Sequence, residues 1–176
     1  MSTDDTGDPT PALGTVVDEG RGSLPYSLVL GESLVACAAW GLGDAGVTAV
    51  DHGTLWEGIV DSGEPFVLHD SLCPLTPAPF IATCVARAVE VDAVVVGVDA
   101  AGRVLSPVVL PASVVAGLDA LPSTDFDELV ARLDGAVALE RVVAPASAAR
   151  VGSAEDVAAL EALVSPDGGR PGAGPA

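Results

Sequence analysis

The chain contains no lysine, so its positive charge comes from arginine alone. Seven arginines stand against 25 aspartates and glutamates in 176 residues, which gives a formal net charge of -18 at pH 7. A field of this sign repels nucleic acids and anionic membrane surfaces, and it opposes the approach of phosphorylated metabolites. We therefore expect neither a nucleic acid nor a membrane as a partner.

Aromatic residues and long apolar runs are also scarce. Aromatic residues make up 3% of the chain, whereas 49% of the residues are hydrophobic, so the core must consist of valine, alanine and leucine. The most apolar windows, near residues 28–40 and 91–98, are interrupted by Glu32 or are too short to span a bilayer. This length and composition predict one domain with a sizeable core.

Cysteine is rare and follows no metal-binding pattern. Cys37, Cys73 and Cys84 are far apart and odd in number, so we expect reduced thiols in a cytoplasmic protein and no metal site. The acidic N-terminus carries no basic segment followed by an apolar run, and it does not predict a signal peptide.

Both ends of the chain are rich in proline and glycine. We expect residues 1–12 and 165–176 to be disordered, which leaves one domain over residues 13–164. Within it, short β-branched runs alternate with helical patterns, as is typical of a three-layer α/β sandwich around a mostly parallel sheet. The runs that predict strands are residues 14–18, 47–50, 65–69, 92–98 and 137–144.

Start and stop signals predict four helices. They are expected over residues 32–42, from Pro77 with Thr76 as N-cap, from Thr124 as N-cap to Gly135, and from Ser153, which forms a capping box with Asp156.

Ligands of open α/β sheets bind beyond the carboxyl ends of strands, and two such ends carry polar residues here. The first is the turn that holds Gly20, Arg21 and Gly22. Its backbone N–H groups could approach a phosphate, or the glycines could serve an ordinary loop that needs positive φ. Asp18 and Glu19 in the same turn disfavour a bound triphosphate unless Mg²⁺ intervenes.

The second strand end carries Asp70, directly after the run 65–69. A carboxylate there could hold a sugar hydroxyl or a hydrated Mg²⁺, or it could cap the turn through backbone N–H groups. We interpret His69 as a strand residue with a satisfied imidazole and Cys73 as a structural thiol. Arg150 precedes the capped helix, and from its local context alone it could be a solvated surface arginine.

The order of these motifs resembles the methylerythritol-phosphate cytidylyltransferase family from about residue 14 to residue 164. Its motif A-A-G-x-G-x-R with a following P-K is similar to "VVDEGRGSLPYSLVLGESLV", and its H-D-A-A-R-P-L is similar to "HDSLCPLTP". Its T-P-Q segment is echoed by "SPVVLP", and its closing K-x-T-x-P-E-D-L is similar to "RVGSAEDVAALEAL".

The resemblance implies the nucleotide-diphospho-sugar transferase fold, which is glycosyltransferase-A-like. It also implies transfer of CTP to methylerythritol 4-phosphate with Mg²⁺ and release of pyrophosphate, in a dimer clasped by a β-arm. On this reading Gly20, Arg21 and Gly22 would contact the nucleotide, and Asp70 and Arg150 would contact the substrate.

The departures from the family pattern concern its cations. The arginine of the glycine motif falls on Leu24, the catalytic lysine on Tyr26 and the arginine of the central motif on Cys73. The glutamine of T-P-Q falls on Val108, and the closing lysine is kept only as Arg150. The chain between residues 98 and 106 is too short for the arm.

Each positioned donor that is lost typically costs ~10²–10³ in rate. We therefore predict no confident catalytic residue and an inactive homologue with a binding, regulatory or structural role. The alternatives are an active cytidylyltransferase that makes CDP-methylerythritol, and a nucleotide sensor without turnover. We expect CTP or another nucleotide to bind weakly, Mg²⁺ only together with that nucleotide, a protein partner in a regulatory role, and a monomer or an arm-less dimer.

Overall fold

The computed structural model describes residues 8–51 and 53–165. Most of the two segments predicted to be disordered lies outside these residues. The strands are β1 (Ala12–Val17), β2 (Leu28–Val29), β3 (Glu32–Ser33), β4 (Val47–Ala49), β5 (Phe66–Asp70), β6 (Val94–Val98), β7 (Val104–Leu110) and β8 (Leu139–Val143). The helices are α1 (Leu34–Asp44), α2 (Trp56–Asp61), α3 (Ala78–Val91), α4 (Ala112–Gly117), α5 (Phe126–Leu133) and α6 (Ala154–Val164), with 3-10 turns at Leu24–Tyr26 and Ala146–Ala148.

Six strands form one sheet in the order β4-β1-β5-β7-β6-β8. Strand β7 is antiparallel to both of its neighbours, and the other pairs are parallel. The predicted mostly parallel sheet is therefore confirmed. The sequence did not predict β7, because Pro107 argues against a central strand. The β6–β7 register shifts between Val96 and Val98, near the point where Pro107 enters the sheet.

Apolar side chains cover both faces of the sheet, as the three-layer prediction requires. Successive strand residues point to opposite faces, so Val94 and Val96 contribute to one cluster and Val95 to the other. Phe126 and Leu129 of α5 pack on the first face. The second face is covered by α1 and α3, whose buried residues include Leu42, Ile81 and Val85.

The helix starts differ from the prediction by one residue in two cases. Pro77 is the N-cap of α3, and the Thr76 hydroxyl instead donates to the Cys73 carbonyl. Asp125 rather than Thr124 caps α5, because its carboxylate accepts the Glu128 N–H and aspartate is an equally good cap. The cap of α6 is confirmed, since the Ser153 hydroxyl accepts the Asp156 N–H.

A tight turn over residues 99–103 joins β6 to β7, where the resemblance places the β-arm. The Asp99 carboxylate accepts the backbone N–H groups of Ala101 and Arg103 within this turn. The predicted absence of the arm is therefore confirmed at this connection. None of the helices in residues 8–51 and 53–165 is long and apolar enough to cross a membrane.

Candidate functional site

The carboxyl ends of β1 and β5 lie side by side, because Val17 pairs with Asp70 in parallel register. The turns that follow these strands therefore open at the same edge of the sheet. Together with the start of α5 and the segment before α6, they form a crevice of about 180 Å³. The residues that line this crevice are Glu19, Gly20, Arg21, Asp70, Leu72, Thr124, Asp125, Phe126 and Arg150.

Asp70 is the centre of the crevice, and its carboxylate is almost completely buried at 1% exposure. The Arg21 Nε lies 2.9 Å from Oδ1, and the Arg21 Nη2 lies 3.3 Å from Oδ2. The Arg150 Nη2 lies 3.0 Å from Oδ2. The Leu72 N–H also donates to Oδ1 at 2.9 Å, which is the turn-capping role predicted as an alternative. Both carboxylate oxygens are thus engaged within the protein.

Arg21 is held in place by four different contacts, one of them a hydrogen bond that its Nη1 donates to the Glu19 carbonyl. Besides pairing with Asp70, its Nη2 donates to the Thr124 carbonyl at 3.0 Å. Its guanidinium carbon lies 5.4 Å from the centroid of the Phe126 ring, a distance that allows a cation–π contact. The side chain is only 10% exposed. These contacts join the turn after β1 to the start of α5.

Arg150 points into the crevice rather than into solvent, so its interpretation as a surface residue was wrong. The segment before α6 is anchored by a backbone hydrogen bond of 2.7 Å from the Val151 N–H to the Leu72 carbonyl. This bond brings Arg150 beside the turn after β5, where its Nη2 reaches Asp70 and, at 3.3 Å, the Leu105 carbonyl. Its Nε is buried and has no partner among the described residues.

The glycine turn reaches the crevice through one of its two glycines. Gly20 and Gly22 both have positive φ, at 76° and 61°, so both need the left-handed conformation that the ordinary-loop interpretation required. Gly20 lines the crevice, whereas Gly22 is not among its lining residues. The structure therefore brings Gly20, Arg21, Asp70 and Arg150 together and leaves Gly22 to shape the turn.

Ser106 of β7 is hydrogen-bonded to the backbone of Asp70 and to the side chain of His69. Its hydroxyl accepts the Asp70 N–H at 2.9 Å and lies 2.6 Å from the Nδ1 of His69. Sequence reasoning missed this residue, although it stands in the "SPVVLP" segment. His69 is fully buried, and its side chain leaves the strand on the face opposite to Asp70. The imidazole is only half satisfied, because its Nε2 has no partner in the described part of the chain.

Burial lowers the pKa of His69 from 6.5 to about 4, although the neighbouring Asp70 charge acts in the opposite direction. Well above pH 6.5 the side chain is neutral in both the folded and the unfolded chain. Between pH 6.5 and about 4 only the unfolded chain binds the proton, so stability falls as the pH falls.

We expect this residue to account for roughly 3 kcal/mol of the stability lost between pH 6.5 and 4. Urea unfolding of the wild-type chain and of His69→Asn at several pH values measures it, because the asparagine amide can still bond to Ser106 but does not titrate. The difference in unfolding free energy between the two proteins should shrink as the pH falls. If the free energies of unfolding of the two proteins changed in parallel with pH, His69 would have the same pKa in the folded and the unfolded chain.

The positions where the family carries cations are occupied by residues with other roles. Leu24 packs against the small cluster around Val29 and Leu34. The Tyr26 hydroxyl donates to the Asp18 carboxylate at 3.0 Å. Burial raises the pKa of the Cys73 thiol to about 12, so Cys73 is uncharged and the prediction of a structural thiol fits its place.

The described crevice residues offer no cluster of ligands that could hold a metal ion by itself. Both oxygens of Asp70 are engaged, Asp125 caps α5 and Asp18 accepts the Tyr26 hydroxyl. Across residues 8–51 and 53–165, no group of three or more histidine, cysteine or acidic side chains could hold a metal ion.

The sequence did not predict Thr124, Asp125 and Phe126 as crevice residues. They lie about a hundred positions after Arg21, and their only sequence signal was that of a helix start. The contacts of Thr124 and Phe126 with Arg21 arise from the packing of α5 beside β7.

No protein-family model and no curated protein sequence matches the chain. Solved structures do match it. The 4-diphosphocytidyl-2C-methyl-D-erythritol synthase from Anaerococcus prevotii superposes with a TM-score of 0.58 at 11% identity, over 88% of this chain and 97% of that one. The 2-C-methyl-D-erythritol 4-phosphate cytidylyltransferase from Thermus thermophilus gives 0.55 at 16% identity, over 88% and 98%.

A third neighbour is a CMP:2-keto-3-deoxy-manno-octonic acid synthetase complexed with CTP, with a TM-score of 0.56 at 10% identity over 88% of this chain and 98% of that one. The chain has the nucleotide-diphospho-sugar transferase fold. The resemblance inferred from the motifs is thereby confirmed at the level of the fold. The crevice lies at the carboxyl ends of the strands, where ligands of open α/β sheets bind.

Proposed function

We propose that this nucleotidyltransferase-fold protein does not transfer nucleotides and that its crevice is a weak binding site for an anionic ligand, with CTP as the first candidate. The observation that carries the proposal is the pairing of both crevice arginines with Asp70. The two guanidinium groups share one buried carboxylate, so half of their positive charge is neutralised and the donors that face Asp70 are no longer free for a phosphate.

Nucleotidyl transfer relies on positioned cations that stabilise the charge developing in the transition state. The crevice offers Arg21 and Arg150 among its lining residues, together with the acids Glu19, Asp70 and Asp125. Its described charged side chains therefore carry more negative than positive charge. Such a balance opposes both the arrival of a triphosphate and its reaction.

The size of the crevice also favours weak binding. Its volume of about 180 Å³ lies below the roughly 300–1,000 Å³ typical of pockets that enclose a small-molecule ligand. What remains for an anion is the backbone turn at Gly20 and the exposed part of the Arg150 side chain, which is 30% exposed. We expect these groups to contact one phosphate group of CTP, with the rest of the nucleotide outside the crevice.

The test is a pyrophosphate-release assay with CTP, methylerythritol phosphate and Mg²⁺, run beside thermal unfolding with and without CTP. We expect no pyrophosphate above background and only slight stabilisation by millimolar CTP, since stabilisation follows the ratio of ligand concentration to Kd. Strong stabilisation without pyrophosphate would instead indicate a nucleotide sensor.

The second candidate is an active cytidylyltransferase, and it is favoured by the meeting of Arg21, Asp70 and Arg150 in one crevice. Pyrophosphate release that is lost in both Asp70→Ala and Arg150→Ala would establish it and contradict our proposal. Arg87→Ala is the matched control, because Arg87 pairs with Glu90 and Glu140 away from the crevice. Its activity should equal that of the unmodified chain.

A further inference from the structure

A larger groove lies away from the crevice, between the outer face of α1, the β2–β3 hairpin and the end of α6. We call it the α1 groove, and its volume is about 480 Å³. The residues that line it include Leu30, Glu32, Trp40, Asp44 and Val164.

Two large apolar side chains of the α1 groove are more than half exposed. Leu30 is 54% and Trp40 is 56% exposed, and Leu28 of the same hairpin is 62% exposed. Single exposed apolar residues are common, but a contiguous apolar surface with a polar rim marks an interaction site. Tryptophan is enriched among the residues that contribute most to binding at protein interfaces.

Leu30 also adopts a backbone conformation that leucine disfavours. Its φ is 53°, and Gly31 follows with a φ of 84°, so both central residues of the hairpin turn are left-handed. Asparagine or aspartate suits the first of these positions far better. The turn thus keeps a leucine in a disfavoured backbone conformation and exposes its apolar side chain to water. Residues in such strained conformations are often found at functional sites.

The charges at the rim of the α1 groove specify its partner. Glu32 and Asp44 border it and are exposed, and none of the described arginines lines it. An apolar segment that also carries cations would pair with both acids, and a cation could stack on the exposed ring of Trp40.

Two other occupants fit this chemistry poorly. A second copy of the chain would bring a net charge of -18 against a net charge of -18, and the like charges would repel. Residues 166–176 follow the end of α6 in sequence, but they contain no large apolar side chain that could fill the groove.

We propose that the α1 groove binds a segment of another protein in which large apolar side chains are flanked by lysine or arginine. This interaction goes beyond the proposed function and does not depend on it. Leu30 and Trp40 supply the apolar contacts, and Glu32 and Asp44 set the required charge.

The experiment measures the fluorescence anisotropy of a labelled amphipathic peptide of leucine and lysine, titrated with the full chain. A peptide of the same pattern with glutamate in place of lysine is the comparison. We expect the lysine peptide to bind and the glutamate peptide not to bind. Trp40→Ala and the double variant Glu32→Gln with Asp44→Asn should each weaken binding about tenfold or more.

Two matched variants separate the groove from the general negative charge of the protein. Val89→Ala removes a half-exposed apolar side chain on α3, and Glu57→Gln with Asp61→Asn removes two exposed charges on α2. We expect both to bind the lysine peptide as the unmodified chain does. Equal weakening in these controls would overturn the proposal.

The oligomeric state is tested in the same preparations by light scattering. A monomer is expected. A dimer that dissociates on Trp40→Ala would assign the α1 groove to a second copy and overturn the proposal. Circular dichroism of every variant checks that the fold is kept, which we expect because the substituted side chains are exposed.

Discussion

Replacing Asp70 by asparagine is expected to lower the free energy of unfolding by about 3 kcal/mol. The buried carboxylate pairs with Arg21 and Arg150, whose side chains are only 10% and 30% exposed. Removing its charge deprives two partly buried guanidinium groups of the carboxylate that pairs with them, which is far more costly than losing a surface ion pair. Urea unfolding at pH 7 measures the change.

Glu90→Gln is the matched control for this substitution. Glu90 is 71% exposed and pairs with Arg87 on the surface of α3, so we expect no measurable change in stability. Similar effects of the two substitutions would mean that the Asp70 pair contributes no more than a surface ion pair does.

The same substitution is expected to strengthen anion binding. With the carboxylate neutralised, the guanidinium groups of Arg21 and Arg150 become available to an external phosphate. Millimolar phosphate should then raise the unfolding midpoint of Asp70→Asn and leave that of the wild-type chain nearly unchanged. A phosphate effect of equal size in both proteins would show that Asp70 does not compete with anions for these arginines.

Gly97→Ala is expected to destabilise the fold by about 3 kcal/mol, the upper part of the usual range for overpacking. An added Cβ at Gly97 would collide with the backbone carbonyl group of Ser106 and would lie 3.2 Å from the Phe80 ring. The backbone of the central strands cannot yield as a flexible side chain can. Because Ser106 supports both His69 and Asp70, the strain should extend to the crevice.

Gly43→Ala provides the comparison, since Gly43 lies within α1 and an added Cβ there meets no atom within 4 Å. Alanine is the better helix former, so this variant should gain about 0.5–1 kcal/mol. Urea unfolding of both variants measures the two changes in the free energy of unfolding. A Gly97→Ala protein as stable as wild type would show that β6 and β7 can separate at little cost.

The sequence predicted those parts of the fold that have a strong local pattern. The strands β1, β4, β5, β6 and β8 correspond to β-branched runs, and the capping signal at Ser153 predicted the start of α6. Strand β7 was missed because its proline is untypical of a central strand. The helices α2 and α4 were missed because six residues are too few to display a helical period.

The candidate site was predicted in part for a similar reason. Gly20, Arg21 and Asp70 directly follow strands whose ends meet at one edge of the sheet, so topology alone brought them together. The contact of Arg150 with Asp70 depends on the backbone hydrogen bond between Val151 and Leu72. No local sequence pattern predicts that hydrogen bond. The motif order suggested a substrate role for Arg150 but not its ion pair.

The carboxylate of Asp70 joins three stretches of chain that are remote in sequence: the turn after β1, the end of β5 and the approach to α6. It joins them without a covalent bond, at the edge of the sheet where ligands of open α/β folds bind. Any anion that binds these guanidinium groups has to break their ion pairs with Asp70. The free energy needed to break these ion pairs lowers the affinity for the anion, so we expect an anion to bind this crevice weakly and to stabilise the fold only slightly.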